Sequence, residues 1–98
     1  MNWKATERAY AKIFGGRRVP ITGRQRGDVP DIQHEWLSLE VKHRKHAVPQ
    51  WIITAIEQAE ASNKTDKLPM AVIHKQGDKY LDGLCVIRVS DFIDHFGT

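Results

Sequence analysis

An α/β fold, with a small mixed β-sheet flanked by helices, is predicted by three features of the sequence. Two stretches, Trp3 to Phe14 and Val48 to about Ser62 or Asn63, carry apolar residues at helical spacing. Between and after them lie short apolar runs of strand length, in Pro30 to Lys42, Leu68 to His74 and Leu84 to Val89. The resulting order is helix, hairpin or meander of strands, helix, strand, strand, helix, which suits a sheet covered by helices.

Asn2 offers an N-cap for the first helix, and Gly15-Gly16 stops it after an apolar stripe of Trp3, Ala9, Tyr10, Ile13 and Phe14. Glu7 stands three residues before Tyr10 and seven before Phe14, on or beside that stripe rather than on the solvated back. An acid there has two readings, a metal-shell carboxylate or a rim salt bridge to Arg8, Lys4 or a later basic residue. Arg17 to Pro20 begins a short extended run with Val19 and Ile21, and Thr22 to Asp28 is a loop rich in Gly and Arg.

In Pro30 to Lys42, Asp31 closes one short run, and the second run holds an acid and a lysine two residues apart. Residues i and i+2 of a strand share a face, so Glu40 and Lys42 emerge side by side, roughly 7 Å apart. Leu37, Leu39 and Val41 take the other face. A hairpin through His34-Glu35 would bring Asp31 alongside the Glu40 end. Two carboxylates suit a hard cation such as magnesium, which is held by one or two carboxylates and keeps several waters. A lysine beside them can hold an attacking water or steady charge building on phosphorus.

Val48-Pro49 starts the second helix, with proline at a permitted first-turn position and a stripe of Val48, Ile52, Ala55, Ile56 and Ala59. Ile53 falls on its polar side, and Gln58 lies at the stripe's edge. Asn63 to Lys67 reads as a polar linker and Gln76-Gly77-Asp78 as a turn. Lys79 to Asp82 reads as a short strand piece, and Ser90 as the N-cap of a final helix through Phe96. The tryptophans Trp3, Trp36 and Trp51 could stack on bases, with buried packing the commoner use.

A chain of 98 residues predicts a single domain over residues 1–98. With 41% hydrophobic and 28% charged residues it has the balance of an ordinary soluble globule, and no apolar run approaches the ~20 residues that span a bilayer. An intracellular protein with no membrane partner is the expectation. Cys85, the one cysteine, sits among Leu84, Val86 and Ile87, as a buried strand thiol would. His34, His43 and His46 with Cys85 form no zinc-ligand spacing.

The net charge is +3 and the pI about 9.2, and the positive charge is concentrated. Arg17, Arg18, Arg24 and Arg26 form one stretch without acids, and Lys42 to His46 forms another. The two flank the candidate acids, where neutralising phosphates would contribute affinity by counterion release.

Pro30-Asp31 followed by Glu40-Val41-Lys42 resembles the PD-(D/E)XK nuclease superfamily, whose pattern it matches literally. The run Arg18-Val19-Pro20-Ile21-Thr22-Gly23, with Arg24 to Asp28 after it, looks like the loop of archaeal-type Holliday junction resolvases, Thr22-Gly23 taking the place of the usual Ser-Gly. The resemblance implies a restriction-endonuclease-like core and a Mg2+-dependent endonuclease, with Mn2+ as a substitute, that hydrolyses DNA by in-line water attack. It implies that Asp31, Glu40 and the Val41 carbonyl bind metal, that Glu7 completes the shell, and that Lys42 assists the water.

Asp28 competes with Asp31 for the ligand role. Gln58 matches a glutamine that reaches the active site in several branches, a plain helix-edge amide being the alternative. Arg17, Arg18, Thr22, Arg24, Arg26, Arg44 and Lys45 would contact DNA. Similar resolvases, small phage-encoded ones among them, imply a homodimer that cuts four-way junctions in the cytoplasm, the host's in the phage case. The alternatives are a nuclease for nicks, flaps or linear ends, and a basic DNA-binding module without chemistry.

Overall fold

The computed structural model describes residues 2–19 and 30–97. Within them the chain is a small α/β protein with three helices and two two-stranded antiparallel sheets. It forms two compact units, Met1–Lys45 and His46–Gly97. The strands pair as two separate ribbons where the sequence suggests one mixed sheet.

In the first unit, helix α1 runs Trp3–Phe14. Its start is fixed by Asn2, whose Oδ1 accepts a hydrogen bond from the Ala5 N–H at 3.0 Å. Its end is a Schellman closure. Gly15 sits at φ 74°, in the left-handed region that glycine enters without strain. The Gly15 N–H donates to Lys12 C=O at 3.3 Å and the Gly16 N–H to Ala11 C=O at 2.8 Å. The inward stripe differs from the expected one. Glu7 and Ala11 are buried and Tyr10 and Phe14 half-buried, whereas Trp3, Ala9 and Ile13 are exposed. The spacing 7, 10, 11, 14 is still helical, and an acid heads it because Arg18 pairs with that acid.

Strands β1 (Arg17–Arg18) and β2 (Ile32–Gln33) pair antiparallel, Arg17 opposite Gln33 and Arg18 opposite Ile32. Both pack on α1. Ile32 is wholly buried, the largest such side chain among the described residues. The Leu37 to Lys42 stretch makes a single antiparallel bridge, Leu39 to Ile32, in place of the expected second strand. Its side chains alternate even so: Leu37, Leu39 and Val41 are half-buried, and Ser38, Glu40 and Lys42 exposed. An extended chain keeps its period of two without a full ladder.

His34 closes the turn between these segments. Its Nδ1 accepts from the Trp36 and Leu37 N–H groups, each at 3.2 Å, which leaves Nε2 to donate to Phe14 C=O at 2.8 Å. One imidazole thus satisfies a carbonyl at the end of α1 and two amides of the turn.

In the second unit, helix α2 (Gln50–Ala61) begins one residue after Pro49, which is its extended N-cap rather than the first-turn residue expected, and packs on strand β3 (Ala71–Ile73). Ile56 is buried and Ile52, Ala55 and Ala59 half-buried as the stripe requires, while Val48 is exposed. Ile53 is half-buried rather than exposed, because residues 53, 56 and 60 share a face at helical spacing. Strand β4 (Leu84–Val86) pairs antiparallel with β3, Val72 opposite Cys85. Ala71 is buried and its partner Val86 half-buried, but Val72 and Cys85 face the other way and are exposed. The expectation of a buried thiol fails because this ribbon is covered on one side only at that pair.

The turn at Gln76 to Asp78 forms as expected, closed by Asp78 N–H to Lys75 C=O at 3.0 Å. Tyr80–Asp82 is a 3₁₀ turn instead of a strand piece, since the Asp82 and Gly83 amides bond back to Lys79 and Tyr80. Helix α3 spans Val89–Phe96 with Arg88, not Ser90, at the cap. Arg88 grips Glu60 of α2 with two bonds, Nε to Oε2 at 2.9 Å and Nη2 to Oε1 at 3.2 Å. The hydrogen bond and charge of Glu60 raise the Arg88 pKa above its ordinary value. Among the described residues no helix is long and apolar enough to cross a membrane.

Gly16 is where α1 meets β2. A Cβ there would stand 2.7 Å from Gln33 O and 2.7 Å from Ile32 Cγ2. Gly16→Ala is expected to destabilise the protein by roughly 1–3 kcal/mol, the usual cost of overpacking against backbone, read as a lower urea midpoint at unchanged m-value.

Candidate active site

Asp31 is held by both its peptide and its side chain. It is 7% exposed. Its C=O accepts from Val19 N–H at 2.9 Å and its N–H donates to Leu39 C=O at 3.1 Å. Its Oδ2 accepts from Val41 N–H at 2.7 Å. The carboxylate therefore anchors the segment that carries Glu40, Val41 and Lys42. This local tie takes the place of the strand expected there.

Glu7 reaches the same region from the inward face of α1, 4% exposed, with Oε1 accepting from Arg18 Nε at 2.8 Å. Of the two readings of this acid, the ion pair with a later basic residue is present. Arg18, expected to hold DNA phosphate, is engaged with Glu7, and its guanidinium also stands 5.7 Å from the centroid of the Trp3 ring. Lys4 Nζ stands 5.5 Å from that centroid. Farther along, the Thr6 hydroxyl and His43 Nδ1 share a 2.7 Å hydrogen bond that fastens the basic segment to α1.

One concavity of about 450 Å³ is bounded by Trp3, Glu7, Asp31, Val41, Lys42, His43 and Arg44. Glu7 and Asp31 are the buried acids and Lys42 and Arg44 the exposed bases of this lining. Glu40 is exposed and is not part of it. Arg17 borders a second concavity, with Gly15, Gly16, Gln33, His34 and Glu35. Lys45 is exposed outside both linings. Gln58 is exposed on α2, in the second unit. Thr22, Arg24, Arg26 and Asp28 lie outside the described residues.

Among the described residues, no three His, Cys, Asp or Glu side chains stand together as a metal-holding group. The side-chain oxygen donors that do share the concavity are the carboxylates of Glu7 and Asp31, with the His43 imidazole on the same lining. The two carboxylates fit magnesium in type and number, since the ion takes hard oxygens and is held by one or two carboxylates with waters. A carboxylate has about four lone-pair sites, so Glu7 and Asp31 can each accept more than one partner. His34 has a structural task, both ring nitrogens being engaged.

Sequence reasoning named Trp3 as a base-stacking candidate without placing it beside Glu7, and it missed Thr6 as the partner that holds His43. The signal for Trp3 was available, because it precedes Glu7 by four residues and so sits one turn above it on the same helix face.

Asp31→Ala removes the acceptor of the half-buried Val41 amide and is expected to cost about 1–3 kcal/mol in stability. Asp31→Asn retains an oxygen acceptor and should lose less. Amide hydrogen exchange at Val41 checks this: it accelerates in the alanine variant and stays slower in the asparagine one. No protein-family model, curated protein or solved structure matches this chain.

Proposed function

We propose that the chain is a magnesium-dependent, structure-selective DNA endonuclease, with a four-way junction as its leading substrate. The observation that carries this reading is the meeting of Glu7, Asp31, Val41 and Lys42, drawn from three distant parts of the sequence, in one concavity bordered by His43 and Arg44. A buried acidic floor beneath exposed bases repels a phosphodiester at its centre and attracts it at its edge. A divalent cation on the floor resolves that conflict.

Asp31, Glu7 and the Val41 carbonyl would hold the ion, with Glu40 retained as a ligand on the sequence motif alone. When bound, the ion supplies Lewis acidity toward the phosphodiester and toward water. Asp31 also fixes the Val41 peptide, and so sets where Lys42 begins. The Lys42 ammonium orients the attacking water and hydrogen-bonds the phosphoryl oxygens as charge builds on them. Arg44 neutralises a neighbouring phosphate, and Lys45 adds charge beside it. A homodimer acting in the cytoplasm would present two such sites to the symmetric strands of a junction.

A second reading, a basic DNA-binding module without chemistry, is favoured by the Glu7 to Arg18 ion pair and by Glu40 standing outside the lining. Incubation of a labelled four-way junction and a matched linear duplex, with magnesium and with chelator, separates the readings. Junction cutting that requires magnesium is expected. Glu40→Ala and Lys42→Ala should each lower it by at least about 100-fold while leaving junction affinity within a few-fold. Binding without cutting under any condition supports the module, and preferential cutting of the duplex points to another DNA substrate.

A further inference from the structure

Of the three tryptophans, Trp3 is the one on the wall of the concavity that holds Glu7 and Asp31. It is 38% exposed, so part of the indole meets solvent although its helix packs on a sheet. Lys4 Nζ lies 5.5 Å and the Arg18 guanidinium 5.7 Å from the ring centroid. Trp36 is instead edge-on to His34, at a 5.8 Å centroid distance, and Trp51 belongs to the second unit.

An exposed aromatic face set among cations is how proteins hold single strands. Bases stack on the ring, guanidinium planes extend the stack, and the cations take the phosphates. A paired base inside a duplex has both faces covered by its neighbours and offers nothing to such a ring. We infer that Trp3 is a stacking platform for an unpaired nucleobase, so that the concavity takes a strand with at least one unstacked nucleotide beside the acidic floor. This deepens the nuclease reading and rests on it for the meaning of the site. It adds a substrate feature, an unpaired base of the kind found at a branch point, a flap or a single-stranded end.

The test measures binding without cutting. With calcium in place of magnesium, a fluorescently labelled oligothymidine and a blunt duplex of matched length are titrated with the wild type, Trp3→Ala and Trp3→Phe. Trp3→Ala is expected to weaken oligothymidine binding by about 5- to 100-fold, the loss of one stacked base, and Trp3→Phe by much less. Duplex affinity should be unchanged in both.

Trp3 also opens α1, so contact at the ring is read independently of any folding loss in a Trp36→Phe/Trp51→Phe variant that leaves Trp3 as the sole indole. Its fluorescence should be quenched by oligothymidine and not by the duplex. The inference is overturned if the wild type does not bind oligothymidine, if Trp3→Ala weakens both ligands equally or neither, or if the sole-indole signal does not respond. Cutting with magnesium plays no part in these readouts. Failure of the nuclease reading therefore leaves them standing, and their failure leaves the nuclease reading to its own assay.

Discussion

The geometry of the first unit depends on the bond from the Val41 amide to the Asp31 carboxylate. The stretch from Leu37 to Lys42 has one bridge to β2 and no ladder, so regular sheet pairing holds little of it. The Asp31 side chain supplies the missing constraint at 2.7 Å, while the Asp31 peptide ties Val19 on one side and Leu39 on the other. A bond to a charged, buried acceptor is stronger than a neutral one, and leaving that amide without a partner would be costly. A single residue therefore links α1's neighbour strand to the basic segment.

The second constraint is electrostatic. A carboxylate as buried as Glu7 requires a partner, and Arg18, one of the basic residues that might have faced DNA, serves as that partner. The guanidinium also stands over the Trp3 ring, so acid, base and aromatic form a connected series. The consequence is a site whose acids are pre-placed and whose bases are divided between internal pairing and solvent.

In the second unit the ribbon of β3 and β4 rests on α2 by one face, with Val72 and Cys85 bare on the other. Two local turns, Gln76 to Asp78 and the 3₁₀ turn at Tyr80–Asp82, contribute to its order, as does the long-range Arg88 grip on Glu60. Exposed groups such as this pair gain little from their attraction, because water screens them and two long side chains must be ordered, so the α2 packing at Ile56 and Ala71 is the firmer contribution.

Much of the local structure was written in the residues themselves. Asn2 and Gly15-Gly16 set the ends of α1 because their side chains, or the lack of them, act on backbone groups within one turn. The Gln76 to Asp78 turn and the two-residue alternation from Leu37 to Val41 are local in the same sense. Glu7 was also visible as an acid out of place on a helical stripe. What no spacing rule could supply was the choice among partners far apart in the chain: that Arg18 rather than Lys4 or Arg8 meets Glu7, that Asp31 bonds the Val41 amide, that Cys85 and Trp3 stay in solvent, and that Glu40 stands clear of the concavity. Periodicity determines which side of an element a residue occupies, whereas burial and pairing depend on what the rest of the chain brings to that side, and only tertiary packing decides that.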